Sequence, residues 1–284
     1  MTFWLIQAFN GVSLGMLLFL LAAGLSLIFG LMGIVNLAHG SFYVLGAYLA
    51  VSVVGATGSF LFGLAAGVAA VAAAGGGLHR GLLHRFHGRE LAQVLLTFGI
   101  LFIVSDVTVW IWGGNPLSLP KPGFLEGSLQ VGTLTFPTYR LLVVLVGIAV
   151  AIVLWLFQEH TPFGAAVRAG VDDEEMARGV GINTPRLFTA VFALGAGLAA
   201  LGGVIGGPFI GVFPGADFEI LLLAMVVVII GGLGSLRGAF VASLLVGLLD
   251  NLGKVLVPDL ALFTVFAPMA LILAVRPSGL FGQA

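Results

Sequence analysis

Cysteine is absent from the 284-residue chain, which excludes disulfides, thiolate metal sites and thiol catalysis. Charge is nearly as scarce. Only 8% of the residues are Asp, Glu, Lys or Arg, against roughly 25% in an ordinary globular chain. The net charge of -1 comes with no basic stripe, so nucleic acid finds no electrostatic footprint. Between Met1 and His79 there is no charged residue of either sign. With 60% hydrophobic residues, the composition excludes intrinsic disorder and lacks the polar surface of a water-soluble fold. No Gly-x-x-x-x-Gly-Lys-Ser/Thr phosphate loop and no His-Glu-x-x-His motif occurs, so the chain carries neither an ATPase nor a zinc-hydrolase signature.

What is present is a series of apolar runs, each near the length of about 20 residues that a membrane helix needs. They cover 5–30, 33–54, 59–78, 91–112, 138–158, 187–211, 219–234, 238–257 and 260–275. The runs are continuous rather than alternating, which disfavours a barrel and leaves helices. The expected fold is an all-α polytopic transmembrane bundle of one domain, 1–284, with about 8–10 spans. That number includes broken helices, because 33–54 and 219–234 are interrupted by glycine. Glycine, 43 residues in all, recurs at four-residue spacing in Gly11/Gly15, Gly63/Gly67, Gly202/Gly206 and Gly203/Gly207, a spacing that lets membrane helices pack closely.

The Lys and Arg residues segregate. Arg80, Arg85, Arg89, Arg168, Arg178, Arg186, Arg237 and Arg276 fall on one side of the expected bundle, and Lys121, Arg140 and Lys254 on the other. The positive-inside rule makes the first side cytoplasmic; three crossings before Arg80 place the N-terminus outside, and a re-entrant second run places it inside. The segment 113–137, with four prolines, becomes an extracytoplasmic loop with room for a short hairpin. His79, His84 and His87 stand beside arginines and read as a solvated basic interface, not a metal site.

Two segments carry polar groups in a pattern. In 159–186, Asp172 to Glu175 are expected to start a short amphipathic helix, with acids at its positive end, and Gly179 and Gly181 to end it. Within it Glu175, Ala177 and Gly181 have the spacing E-x-A-x-x-x-G. The second segment runs from Gly30 to Phe42 and sets Asn36, His39 and Ser41 between Gly33 and Gly40. Polar groups at membrane depth need partners, and irregular backbone there lines a cavity or is buried in protein. Asn36, His39 and Ser41 are therefore either pathway-lining residues or caps of the flanking helices, with Ser41 as the expected N-cap. Gly231 and Gly238 repeat the spacing of Gly33 and Gly40, and Arg237-Gly238-Ala239-Phe240 aligns with His39-Gly40-Ser41-Phe42. Paired glycine-interrupted segments point to an internal repeat, with breaks or hinges at those four glycines.

The run GLSLIFGLMGIVNLAHGSFYVLGAYLA (24–50) resembles the N-terminal signature of the branched-chain amino-acid ABC transporter permeases of the LivH type. PFGAAVRAGVDDEEMARGVGIN (162–183), IIGGLGSLRGAFVASLLVG (229–247) and RPSGLFG (276–282) are similar to later segments of that family. The resemblance implies a multi-pass permease subunit of a bacterial-type inner membrane. It implies a second related permease subunit, two ATP-binding subunits and an extracytoplasmic substrate-binding protein as partners. ATP is then bound by the partners, and this chain holds no cofactor, no metal and no catalytic residue. It also makes 159–186 a coupling loop that meets the ATPase, with Arg168, Glu175, Ala177 and Gly181 as its contact residues. Urea and short-chain amide permeases share this signature and are the alternative substrate class. An ion-coupled secondary transporter is the alternative mechanism, for which Asp106 is the acid placed well inside an apolar run.

Overall fold

The structure, a computed structural model, describes residues 2–131 and 134–282. Its helices are α1 (Thr2–Met32), α2 (His39–Thr57), α3 (Phe60–Gly81), α4 (Glu90–Trp112), α5 (Thr138–His160), α6 (Pro162–Asp172), α7 (Glu174–Gly179), α8 (Thr184–Ile210), α9 (Ala216–Gly231), α10 (Leu236–Leu256) and α11 (Ala261–Val275). A hairpin of β1 (Ser128–Val131) and β2 (Leu134–Pro137) lies between α4 and α5. Residues 132 and 133 of the expected outer loop fall outside the described residues. Eight helical segments among the described residues are long and apolar enough to cross a membrane: α1–α5, α8, α10 and α11, with α3 and α11 taken together with adjoining 3-10 turns. The protein is a multi-pass helical bundle. With 16 residues, α9 is about 24 Å long, shorter than the hydrocarbon layer, as its interrupted run suggested.

A helix that is apolar on every side belongs in the interior. That describes α1, which is uncharged over 31 residues and is buried nearly continuously from Gly15 to Ser26. It runs antiparallel to α10: Gly11 lies against Leu248, Gly15 against Ser243 and Leu244, and Gly30 against Gly234. It is antiparallel to α8 as well, with Gly24 against Gly195 and Leu31 beside Leu187. A carbon added at Gly15 would stand 2.7 Å from the Ser243 carbonyl oxygen, so these contacts are backbone against backbone. Gly67 meets the Gly46 carbonyl of α2, and Gly203 meets that of Tyr43. Close packing through four-residue glycine spacings is thus a property of this bundle.

The chain ends and loops sort into two groups. At one end, His87 Nε2 approaches Glu174 Oε2 at 3.2 Å, Arg237 pairs with Glu159 at 3.1 Å, and the Leu280 N–H donates to the Ile230 carbonyl. This end gathers the eight arginines named above. At the other, Leu117 pairs with Val212, Phe9 packs on Phe136, and the Arg140 guanidinium stacks over Phe209 at 4.6 Å. The charge segregation read from sequence is a physical polarity of the bundle.

His79 corrects one expectation. It is not solvated: it is 1% exposed, bonded through Nδ1 to Thr189 Oγ1 at 2.9 Å, with its ring near Phe192. The last turn of α3 packs on α8, which removes His79 from the basic loop. No group of His, Cys, Asp or Glu among the described residues has metal-binding geometry.

Candidate functional site at the break between α1 and α2

Helix α1 ends where Gly33 takes φ +67°, a left-handed turn that glycine adopts without steric cost. The chain then turns back into the bundle. Asn36 Oδ1 accepts the Ala38 N–H at 3.2 Å, and the Leu37 N–H donates to Thr97 Oγ1 of α4 at 3.2 Å. The returning segment delivers His39 to Leu21, where Nε2–H donates to the carbonyl at 2.9 Å. Leu21 lies 11 residues before the end of α1, about 16 Å along the axis, so α2 begins deep inside the bundle.

Asn36, His39 and Ser41 are all fully buried. Ser41 is not the N-cap. It is the third residue of α2, its Oγ lies 3.5 Å from the Leu101 carbonyl, and Ala38 holds the cap position without a side-chain bond. Gly40 is not a break either: it is the second residue of α2, and it is bare because its Cα faces the Asp217 carbonyl of α9 too closely for a side chain. His39 shares its level with Gly24 and, through Gly24, with Gly195. Since His39 Nε2 donates, Nδ1 is left as an acceptor; it has no partner, nor do Asn36 Nδ2 and the hydroxyls of Tyr43 and Tyr48. Buried polar atoms are rarely left unpaired; with Ser26 Oγ of α1, these are groups along α1 and α2 with hydrogen-bonding capacity to offer.

Sequence reasoning passed over Asp217 and the tyrosines. Asp217, 3% exposed in the first turn of α9, sits on the first turn of α2. All three tyrosines of the chain are buried; two stand in the 24–50 signature, which was the signal available. Asp106, by contrast, is on an exposed face of α4. The run Gly11-Val12-Ser13-Leu14-Gly15 has the spacing of a hydrolase nucleophile motif, but Ser13 is inside α1 with its hydroxyl donating to the Phe9 carbonyl.

The second glycine-rich segment forms a second break. Its positive-φ residues are Gly232 and Gly234, not Gly231 and Gly238, which instead pack against each other across the α9–α10 turn. Ser235 caps α10 by accepting the Gly238 N–H at 3.0 Å. The aligned tetrapeptides do each open a helix, His39–Phe42 in α2 and Arg237–Phe240 in the first turn of α10. The two breaks meet where Gly30 touches Gly234. Between them an apolar cleft of about 170 Å³ is lined by Leu25, Phe29, Val35, Met225, Val228 and Leu233, among others.

The 159–186 segment is two helices rather than one. Asp172 ends α6, and Asp173 caps α7 by accepting the Met176 N–H at 2.8 Å. Gly181, at φ +92°, terminates α7: its N–H donates to the Arg178 carbonyl and that of Ile182 to the Ala177 carbonyl, the pattern of a glycine C-cap. Glu174 braces α7 by accepting from Arg178, from Thr184 Oγ1 at 3.3 Å and from His87 at 3.2 Å. Glu175 and Gly181 are exposed and Ala177 is buried against the bundle. Arg168 lies apart on α6, bonded to the Gln158 carbonyl and 3.9 Å from Glu159.

A family model described as the permease component of the branched-chain amino acid transport system matches residues 7–275. The chain is 29% identical to the LivH permease protein of the high-affinity branched-chain amino acid system of Salmonella typhimurium, over 99% of this chain and 96% of the relative. It is 28% identical to BraD of Pseudomonas aeruginosa over the same shares. With LivM of Escherichia coli the identity is 27%, over 82% of this chain and 60% of LivM. No solved structure matches.

Proposed function

The chain belongs to the family of branched-chain amino acid transport permeases, and from that premise we propose that it is the membrane-spanning subunit of an ATP-driven importer of branched-chain amino acids in a bacterial-type inner membrane. The arginine-rich end faces the cytoplasm. An extracytoplasmic binding protein delivers substrate at the opposite end, where 113–137 lies. Two ATP-binding subunits dock at 159–186, and a second, related permease completes the pathway. LivH and LivM are both named as permease proteins of one high-affinity system, which supports such a pairing.

The observation that carries this reading is the construction of α6–α7. A solvated connecting loop needs no internal bracing, yet α7 is capped at both ends and tied to α8 and to the α3–α4 loop through Glu174. At the same time it presents Met176 and Val180 outward, 65% and 70% exposed. A rigid helix with exposed apolar side chains suits insertion into a cleft on a moving partner. ATP-driven closure of the partners moves α7, and the bundle alternates between outward and inward access. Asn36, His39 and Ser41 line the route near the first break, and the cleft between the breaks suits an aliphatic side chain.

Proteoliposomes holding the permease pair, the ATP-binding subunits and the binding protein test this. Glu175→Ala and Gly181→Val are expected to assemble normally yet hydrolyse more ATP per leucine imported. An unchanged ratio removes α7 from coupling. His39→Ala and Asn36→Ala are expected to lower uptake while assembly persists; unaltered uptake removes both from the route. Uptake that collapses with an ionophore while ATP is present would overturn the ATP-driven mechanism itself.

A further inference from the structure

Another, larger cleft begins at the second break, where Gly234 and Ser235 line it. About 540 Å³ in volume, it opens sideways between α1, α5 and α10 at the arginine-rich end. Its walls are Phe19, Ile152, Leu154, Trp155, Phe240 and Val241, and its polar rim is Glu159, Arg168 and Arg237. Glu159 stands between the arginines, 3.1 Å from Arg237 and 3.9 Å from Arg168. One carboxylate against two guanidiniums leaves the rim with one positive charge in excess.

Two further features favour an anion there. Leu236 and Arg237 open α10 and line the cleft; Ser235 takes the Gly238 N–H, and the N–H groups ahead of it have no intrahelical acceptors at the positive end of the helix dipole. Arg237 is also 71% exposed in its side chain despite the ion pair, so its guanidinium has donors to spare. The apolar walls continue from this rim toward the bundle's midplane, because α1, α5 and α10 all run lengthwise. A charged end joined to a long apolar groove open to the bilayer has the shape and charge of a phospholipid site, and half-exposed Trp155 is the residue type that marks the headgroup level.

We propose that this cleft binds an anionic phospholipid of the leaflet at the arginine-rich end. Its phosphate is held by Arg237 and the first turn of α10, and one acyl chain lies against Ile152, Trp155 and Val241. A basic pocket between membrane helices on one leaflet is the arrangement that selects anionic headgroups.

Trp155 is a built-in reporter. The assembled transporter is reconstituted in nanodiscs of phosphatidylcholine carrying a minor fraction of brominated lipid, either phosphatidylglycerol or phosphatidylcholine. Trp155 quenching is read as the difference between the native chain and Trp155→Phe. Brominated phosphatidylglycerol is expected to quench severalfold more than brominated phosphatidylcholine. Arg237→Gln is expected to reduce that preference about fivefold, the worth of one basic residue near a membrane surface, and Arg237→Lys to retain most of it. High salt is expected to weaken the preference in the native chain, a readout that needs no variant. Equal quenching by the two lipids overturns the proposal, as does a preference indifferent to Arg237. Quenching by neither lipid overturns it too, showing that a partner subunit covers the cleft. None of these outcomes depends on what the transporter carries.

Discussion

Glu174→Gln is the sharpest perturbation of α7. Its carboxylate receives Arg178 from within the helix, Thr184 from the start of α8 and His87 from the α3–α4 loop. An exposed ion pair is worth about 0.2–1 kcal/mol and a neutral hydrogen bond about 0.5–1.5 kcal/mol. The Glu174 side chain is 28% exposed, which places the pair with Arg178 in the solvent-screened range, and glutamine retains one acceptor. The net loss is then roughly 1–2 kcal/mol. That loss falls on local opening of α7, because α1, α8 and α10 share none of these bonds except at Thr184. A change of that size multiplies the open population by about 5–30.

Hydrogen exchange on the assembled transporter reads this directly. Peptides spanning 174–183 are expected to exchange about 5–30 times faster in Glu174→Gln, while those from the interior of α1 and α8 keep their protection. ATP consumed per substrate imported rises in parallel. Unchanged exchange in 174–183 would show that Glu174 does not brace the helix. A uniform rise across α8 would show that the bonds stabilise the bundle and not a separate docking unit.

Other perturbations bear on packing. Gly203→Ala drives a methyl group into the Tyr43 carbonyl and is expected to cost about 1–3 kcal/mol, lowering the melting temperature in detergent. Gly77→Ala, where the added carbon meets nothing within 4 Å, should leave it unchanged or slightly raised. Tyr139→Phe removes the donor to the Ile205 carbonyl at 2.8 Å, a loss of about 0.5–1.5 kcal/mol measurable in the same melts. Gly181→Ala places a Cβ in a left-handed turn at about 1–2 kcal/mol, which should accelerate exchange at the end of α7 without altering its start.

The helices were legible because an apolar run of membrane length has one stable conformation in lipid. The break at 33–38 was legible too, from glycine and polar residues in an uncharged stretch. Its path was not. Nothing local distinguishes a cap at Ser41 from a helix already begun at His39; the choice is made by Leu21, Thr97 and Asp217, each distant in sequence. The second break was assigned to Gly231 and Gly238 from spacing alone, whereas the left-handed turns fall at Gly232 and Gly234. Spacing cannot separate a glycine needed for its φ from one needed for its bareness. His79 was misread for a related reason, since arginine neighbours describe a loop only if the helix has ended, and α3 continues to Gly81. In 159–186 the acid cluster Asp172–Glu175 concealed a boundary: Asp173 ends one helix and caps the next.

How motion at the charged end would reach the buried polar groups follows from where α6 sits. Val167 of α6 packs with Leu31, and a carbon added at Gly170 would stand 3.2 Å from the Leu31 side chain. Leu31 belongs to the last turn of α1, two residues before the Gly33 turn. Along the rest of its length α1 is held by α8 and α10 through contacts in which backbone meets backbone at Gly11, Gly15 and Gly24. Such contacts leave no radial clearance, and closely packed interiors transmit displacement instead of absorbing it. α6 thus touches α1 at the turn that leads into the first break. Residues 33–38 follow directly; Ile34, Asn36 and Ala38 are buried there, the Leu37 N–H donates to Thr97 and the Ala38 N–H to Asn36. The second break adjoins the same final turn, where Gly234 rests on Gly30. Two adjoining breaks thus lie next to α6, and one of them leads into the residues that begin α2. If 159–186 is the docking segment proposed above, the contact at Leu31 is the route by which its motion would reach the first break.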